Sequence, residues 1–250
     1  MIVDNKNHID LKKFLRNNPD IRTIKCGNEI YYQAKKSPYY VTLPHSFSHN
    51  FCRFVGILLG DGNFSDEDDK RILITDKCKE YHKNVIIPLA KYLFNLDFNL
   101  YPDGNRNSYY SHKKSSVLYR FFIPSLGFRP GSVRKQIINE IPEYLYDLDV
   151  YQKAHVIAGL FDAESKVSLK QAQIDFSISS RPIWEYIYQF LDYVGIKYSL
   201  PGRREGRRPS GEYEICITGR YNIEIFLDFV PMKHPEKIKR LKKFIPLTRC

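Results

Sequence analysis

Two carboxylates stand at matching places in the chain. Residues 50–62 read NFCRFVGILLGDG and residues 153–165 read KAHVIAGLFDAES. Each is an apolar run of helix length ending on an acid beside a small residue, Asp61 before Gly62 and Glu164 before Ser165. Each also holds small residues four apart, Gly56 and Gly60 in the first, Gly159 and Ala163 in the second. Positions four apart share one helix face. A glycine inside a helix costs about 1 kcal/mol against alanine, so a pair of them points to close approach by another helix. The second copy is a ready partner. If the two small-residue faces pack together, Asp61 and Glu164 meet at one end. Like charges then repel, burial disfavours both ions, and two helix C-termini add their own negative potential. A divalent cation reverses all three penalties. The main-chain carbonyls of Gly60 and Ala163 are further candidate ligands, and an all-oxygen set suits Mg²⁺ or Mn²⁺. Such a centre can activate water and stabilise a leaving oxygen in phosphodiester hydrolysis. No Ser–His–Asp or Cys–His arrangement competes with it. The bland alternative is that Asp-Gly merely turns the chain out of a buried helix. The recurrence of the acid in a second, different sequence favours the shared metal site.

The elements that must position these acids repeat as well. After the first run come strands at 62–65 and 71–75, a helix near 79–94, an extended segment near 97–101, a polar basic stretch at 103–116 and a strand at 117–123. After the second come strands near 166–170 and 173–178, a helix near 182–194 with Pro182 in its first turn, an extended segment near 196–200, a basic stretch at 201–211 and a strand at 212–218. Helical regions near 131–140 and 220–229 close the two halves. Asp61 and Glu164 are 103 residues apart, an offset most of the matched elements keep. The fold class expected is α+β and pseudo-twofold, each half running helix-strand-strand-helix-strand-strand-helix with an antiparallel sheet. The expected divisions are an N-terminal extension at 1–49, a first half at 50–146 and a second at 147–250 with a basic tail. The extension should hold a helix at 8–17 and a strand pair around 21–41.

Composition bounds the partners. Lys and Arg total 39 against 28 Asp and Glu, a net charge of +11, which suits a polyanion. No apolar stretch is long enough to span a membrane. The charged N-terminus lacks a signal-peptide core. Five scattered cysteines without a CxxC pair support neither a disulfide framework nor a structural zinc site. A reducing interior fits them best.

These residues resemble a known family. FVGILLGDG (54–62) and IAGLFDAES (157–165) look like the two signature helices of LAGLIDADG homing endonucleases. The resemblance extends over roughly residues 50–243, including the lead-in LPHSFSHNFCRFVG, the junction LGFRPGSVRKQIINEIPEYL (126–145) and the ending NIEIFLDFVPMKHPEKIKRL (222–241). The motif's acidic metal ligand falls on Asp61 and Glu164. Its earlier acid is Asp162 in the second copy but Leu59 in the first, and its last small position is Gly62 in the first and Ser165 in the second. The resemblance implies a monomeric saddle whose signature helices form the central seam and whose sheets lie along the DNA major groove. It implies cutting of both strands of double-stranded DNA at a long pseudo-palindromic site, leaving short 3′ overhangs. It also implies a basic or amide side chain near each scissile phosphate. Lys77 and Arg181 are the candidates, with Arg120 and Lys166 behind them. A chain starting at Met without a splicing-domain sequence points to a free-standing or intron-encoded form rather than an intein. That places it in the cytoplasm or nucleoid of a prokaryote or archaeon, or in an organelle matrix.

The alternation of residues agrees with a DNA face. In QIDFSISS, the polar set Gln173, Asp175, Ser177 and Ser179 alternates with Ile174, Phe176 and Ile178, so the polar set should face base edges. Arg203, Arg204, Arg207 and Arg208 in the second half, and Arg106, Lys113 and Lys114 in the first, suit phosphates at the ends of the site. The bland account is a solvated basic loop. His49 and His155 read as positional, and Trp184 as core. Two rival functions use the same scaffold: an RNA maturase acting on its host intron, and a non-catalytic DNA-binding protein. Retention of both acids favours cleavage.

Overall fold

The computed structural model describes residues 2–3, 8–35, 37–104, 106–133, 141–201 and 213–245. A leading segment contains helix α1 (Leu11–Asn17) and the antiparallel hairpin of β1 (Ile21–Cys26) and β2 (Glu29–Ala34). The first copy follows as α2 (His49–Asp61), β3 (Gly62–Phe64), β4 (Arg71–Asp76), α3 (residues 79–94), β5 (Asn99–Asp103), β6 (Ser108–Lys114) and α4 (residues 116–125). The short strand β7 (Gly131–Ser132) lies between the copies. The second copy runs α5 (Val150–Glu164), β8 (Ser165–Val167), β9 (Gln173–Ile178), α6 (Arg181–Tyr193), β10 (Tyr213–Thr218) and α7 (Arg220–Phe229), and α8 (Pro235–Leu241) follows. The expected α+β order is complete in the first copy. In the second, the third strand is reduced to Ser199, which bridges Cys216 of β10.

Local chemistry sets the starts of the helices. Ser48 caps α2 by accepting from the Phe51 amide, and Ser180 caps α6 the same way from Ile183. Asp149 and Gln152 form a reciprocal capping box on α5. Gln152 Nε2 also donates to the Phe47 carbonyl at 2.9 Å, tying the start of α5 to the chain that leads into α2. At the other end, α2 and α5 leave the helix alike. Gly62 takes φ −74° and ψ 147°, and Ser165 takes φ −94° and ψ 158°. Gly62 is therefore not a left-handed turn. Each acid is the last helical residue before a strand.

Both sheets are antiparallel and open, in the orders β5-β6-β4-β3-β7 and β10-β9-β8. Their inner faces carry Ile72 and Ile74 in the first and Ile174, Phe176 and Ile178 in the second, all buried. Every residue of α2 from Phe51 to Gly60 is buried, because α5 covers one side and the first sheet's own core covers the other. That core is rich in phenylalanine: Phe54, Phe64, Phe94 and Phe122 make mutual ring contacts with centroids 5.0–6.1 Å apart. Burying each such ring stabilises by roughly 1.5–3 kcal/mol. The leading segment packs on the first copy through Phe14 against Phe121, centroids 6.0 Å apart, and through the Arg120–Asp20 ion pair.

One assignment from the sequence is corrected. Residues 117–123 are helical, within α4, and the strand is β6, inside the stretch read as a basic loop. Val117, Leu118, Tyr119, Phe121 and Phe122 are all buried, so this segment has no polar face to alternate with. Ser115 starts the helix by accepting from the Leu118 amide at 3.3 Å. The closing helix expected near 131–140 begins in β7, and residues 134–140 lie outside the described residues. Among the described residues, no helix is long and apolar enough to cross a membrane.

Candidate functional site

The small residues do what their spacing demands. A Cβ on Gly56 would drive into the Val156 carbonyl and stand 3.0 Å from the Gly159 Cα. One on Gly159 would stand 2.6 Å from the Ile57 amide nitrogen. The backbones of α2 and α5 are thus in contact, and no larger residue fits at the crossing. One turn further on, a Cβ on Gly60 would be 2.5 Å from the Ala163 Cβ, 3.1 Å from the Glu164 Cγ and 3.8 Å from its Oε1. The Glu164 carboxylate therefore lies beside Gly60, next in chain to Asp61. The seam brings both acids to the same end of the helix pair.

Around that end opens a cleft. Its lining includes Gly60, Asp61, Ala163 and Ser165, with cations from both copies: Lys77 and Arg106 from the first, Lys166, Lys237 and Arg240 from the second and its tail. Lys237 is the most informative. Its side chain is buried, and its Nζ donates to the carbonyls of Phe161 (2.7 Å), Asp162 (2.6 Å) and Ala163 (3.4 Å). An ammonium thus caps the negative end of α5. Burial pushes the Lys237 ammonium down from its ordinary range. Asp162, Asp76, Asp61 and Glu164 hold it up, so both acids of the seam act on one cation.

A second buried charge pair locks the seam from below. Arg53 of α2 and Asp162 of α5 approach at 2.9 Å with 1% and 0% of their side chains exposed. Arg53 also donates to the Pro231 carbonyl. Asp162 accepts from the amides of Lys233 and His234, the latter at 3.0 Å. The His234 Nε2 lies 3.5 Å from Asp76 Oδ1 of β4. The tail after α7 is thereby fastened to both copies. Burial pushes the Asp162 carboxyl up and the Arg53 guanidinium down, against their mutual attraction.

The two carboxylates suit a hard divalent cation, since they concentrate negative charge at two helix C-termini. The Ala163 carbonyl does not suit that role, because the Lys237 ammonium already addresses it. Gly60 lines the cleft. Among the described residues, no group of three or more His, Cys, Asp or Glu could hold a metal.

The sheet candidates divide by register. Gln173, Asp175 and Ser177 lie opposite the buried face of β9 and pair across with Thr218, Cys216 and Glu214, so those six share one face, on which Glu214 is buried. Ser179 follows β9 directly. In the first copy, Lys114 pairs with Arg71 on the open face, 3.6 Å from Asp69. Lys113 pairs with the buried Ile72 and lies over the Tyr39 ring, 4.1 Å from its centroid, on the opposite side of the sheet from the expected DNA face. Arg106 lines the central cleft rather than an outer end. Arg181 begins α6 and pairs with Glu185 at 2.8 Å, outside the cleft lining. Arg203, Arg204, Arg207 and Arg208 lie outside the described residues.

Sequence reasoning missed Lys237, Arg240 and the Arg53–Asp162 pair. The signal for the last was present. Arg53 is the one charge among residues 51–60 and Asp162 the one acid among 154–163, in two helices already paired by their glycines. Lys237 had no such signal, being one lysine in a basic tail.

Comparison with known proteins agrees on the architecture. The model of the LAGLIDADG-like domain family matches residues 151–231. The solved structure of I-DmoI in complex with DNA and Mn superposes with a TM-score of 0.54 at 19% identity, covering 76% of this chain and 99% of that one. The N-terminal LAGLIDADG domain of DUF199/WhiA superposes with a TM-score of 0.51 at 14% identity, covering 78% of this chain and 89% of that one. A glutamine–fructose-6-phosphate aminotransferase of Methanocaldococcus jannaschii is 25% identical over 210 residues, 82% of this chain. The chain spans only 18% of that protein's length.

Proposed function

We propose that this chain, which has the duplicated LAGLIDADG architecture and a LAGLIDADG-like domain in its second half, is a site-specific, divalent-metal-dependent endonuclease of double-stranded DNA. One observation carries the proposal: the α2–α5 crossing sets Glu164 beside Gly60, next in chain to Asp61, at the end where Asp61 and cations from both copies line a cleft. Lys77, Arg106, Lys166 and Arg240 neutralise phosphates entering the cleft. The open faces of the two sheets lie along the flanking major grooves and hold the duplex in register. Asp61 and Glu164 are the residues that would hold Mg²⁺ or Mn²⁺, and the bound ion supplies Lewis-acid charge and a reactive water. Lys237 stabilises the end of α5, fixing where the Glu164 carboxylate sits. Lys77 remains the candidate cation of the first copy. With one acid from each copy, cleavage of both strands within one monomer follows, leaving short 3′ overhangs at a long, partly asymmetric site.

The test is cleavage of a randomised duplex library in Mg²⁺, with Ca²⁺ as the control for binding without turnover. Asp61→Asn and Glu164→Gln should each abolish double-strand cutting and leave binding largely intact. Cutting that persists in either variant removes that acid from the centre. Binding should weaken steeply with salt, because phosphate contacts release counterions.

A further inference from the structure

The open faces of the two sheets, matched position by position, carry opposite chemistry. In β4 the buried Ile72 and Ile74 point to the helices, so Arg71, Leu73 and Thr75 face outward. Register places His112 opposite Leu73 and Tyr110 opposite Thr75, with Tyr101 beside Tyr110 on β5. In the second copy the same places hold polar groups. Asp175 stands where Leu73 does, third in its strand, Cys216 stands opposite it, and Glu214 stands opposite Ser177.

The outward rings of the first copy form one unit. Tyr101 stacks on Tyr110 at 5.7 Å with planes 27° apart, and on His112 at 5.3 Å with planes 24° apart. Tyr101 is 44% exposed. Burial and the charge of Arg71 push the His112 imidazole down from its ordinary value. The strip is continuous with the cleft, since Leu73 and Thr75 line it together with Lys77 and Arg106. At its outer end Arg71 and Lys114 share one carboxylate, Asp69, which offsets part of their charge. Cations thus stand at both ends of the strip, and duplex reaching the cleft passes over Leu73 and the rings between them.

We propose that the first copy reads thymine methyl groups in the major groove through the strip of Leu73, Tyr101, Tyr110 and His112. This rests on the reading of the protein as a duplex-DNA binder and names what one half of its target presents. The C5-methyl of thymine is the one apolar group that a base pair offers in the major groove. The rings stack on one another, an arrangement that suits methyl contact more than the stacking of a base. Stacking of unpaired bases needs free ring faces. Tyr110 and His112 are two residues apart, about 7 Å along a strand, or roughly two base-pair steps of 3.4 Å. The strip therefore covers two or three adjacent positions on one side of the centre.

The experiment is selection of bound duplexes in Ca²⁺ from one randomised library prepared in two forms, with thymine or with uracil, which lacks only the methyl. Sites recovered from the thymine form should carry a short run of thymines on one side alone. At roughly fourfold per buried methyl, the same sites in uracil should bind on the order of tenfold to fiftyfold more weakly. Leu73→Asn should shrink the difference by roughly fourfold, one methyl's worth, and leave the other side's preference unchanged. Equal affinity in both forms, or no one-sided thymine run, overturns the proposal, as does tighter binding of single-stranded RNA than of duplex. Because the readout is binding without turnover, an inactive nuclease that still prefers thymine would sink the cleavage reading alone. Recovery of no specific duplex would sink both.

Discussion

The buried pair of Arg53 and Asp162 is the sharpest place to perturb the seam, because its two halves should fail differently with pH. At 2.9 Å, with both side chains essentially solvent-free, the pair has no water to replace a lost partner. Removing one member of such a pair costs about 3–5 kcal/mol. Arg53→Met leaves the Asp162 carboxylate with the amides of Lys233 and His234 and the more distant Lys237 ammonium. Its folded carboxyl is already raised above the ordinary value by burial, and loss of the guanidinium raises it further. A carboxyl raised on folding destabilises fully above its folded value and is relieved by protonation below it. The deficit of Arg53→Met against the parent should therefore shrink as pH falls from 7.5 towards 5. Asp162→Asn leaves the guanidinium stranded instead. Arginine does not give up its proton in proteins, and the parent's own Asp162 is relieved as pH falls, so that deficit should not shrink over the same range. Urea unfolding of the two variants and the parent at pH 5.0 and 7.5 measures both. Losses under about 1 kcal/mol in either variant, or parallel pH behaviour, would refute the assignment of this pair as an isolated charge couple.

Other consequences are direct. Gly56→Ala or Gly159→Ala forces apart two backbones in contact, and each should cost about 3 kcal/mol or more by denaturant unfolding; an unchanged midpoint would mean that the helices do not cross there. The His155 imidazole, stacked on His49 at 4.4 Å, is pushed down to about 4 by burial and by Arg53. Its folded value lies below the unfolded one, so stability should fall as pH drops from about 6.5 towards 4. His155→Gln should flatten that part of the profile, and a profile identical to the parent's would exclude this histidine as its source.

How far the architecture could be read from the chain depended on which interactions were local. The acid-ended helices were legible because glycines four apart have few explanations inside a buried helix, and the contact of Gly56 with Gly159 is the one their spacing requires. The alternation in QIDFSI was legible because one face is buried and the other is not. The segment VLYRFFI misled because aromatic and β-branched residues suit a strand, while its burial on nearly every side can be seen only once α2 and β4 surround it. The duplication itself held the correction. α4 begins at Ser116 and α7 at Arg220, 104 residues on, close to the 103 that separate Asp61 from Glu164. The strand pairing of 117–123 with 212–218 broke that offset by eight residues or more. In a duplicated fold a constant offset is a stronger guide than local propensity.

The same offset shows where the duplication stops. The Ile-Pro pairs at 141–142 and 245–246 set the last stretch of the two copies 104 residues apart, which puts Val133 at the register of Lys237. Val133 is buried and follows β7, which pairs with β3. Lys237 sits in α8, with its ammonium on the carbonyls that end α5. One helix of the seam thus ends against a buried cation that the matching register of the other copy does not supply. The Asp162–Arg53 pair is one-sided in the same way, since the first motif has Leu59 at the place of Asp162. Both differences hold the tail of the second copy against the seam. The environments of Asp61 and Glu164 are consequently unequal, and a centre built from unequal acids has reason to cut its two strands at unequal rates. Time courses on a supercoiled target should then pass through a nicked intermediate with one strand preferred, and equal, simultaneous loss of both strands would show that the asymmetry does not reach the chemistry.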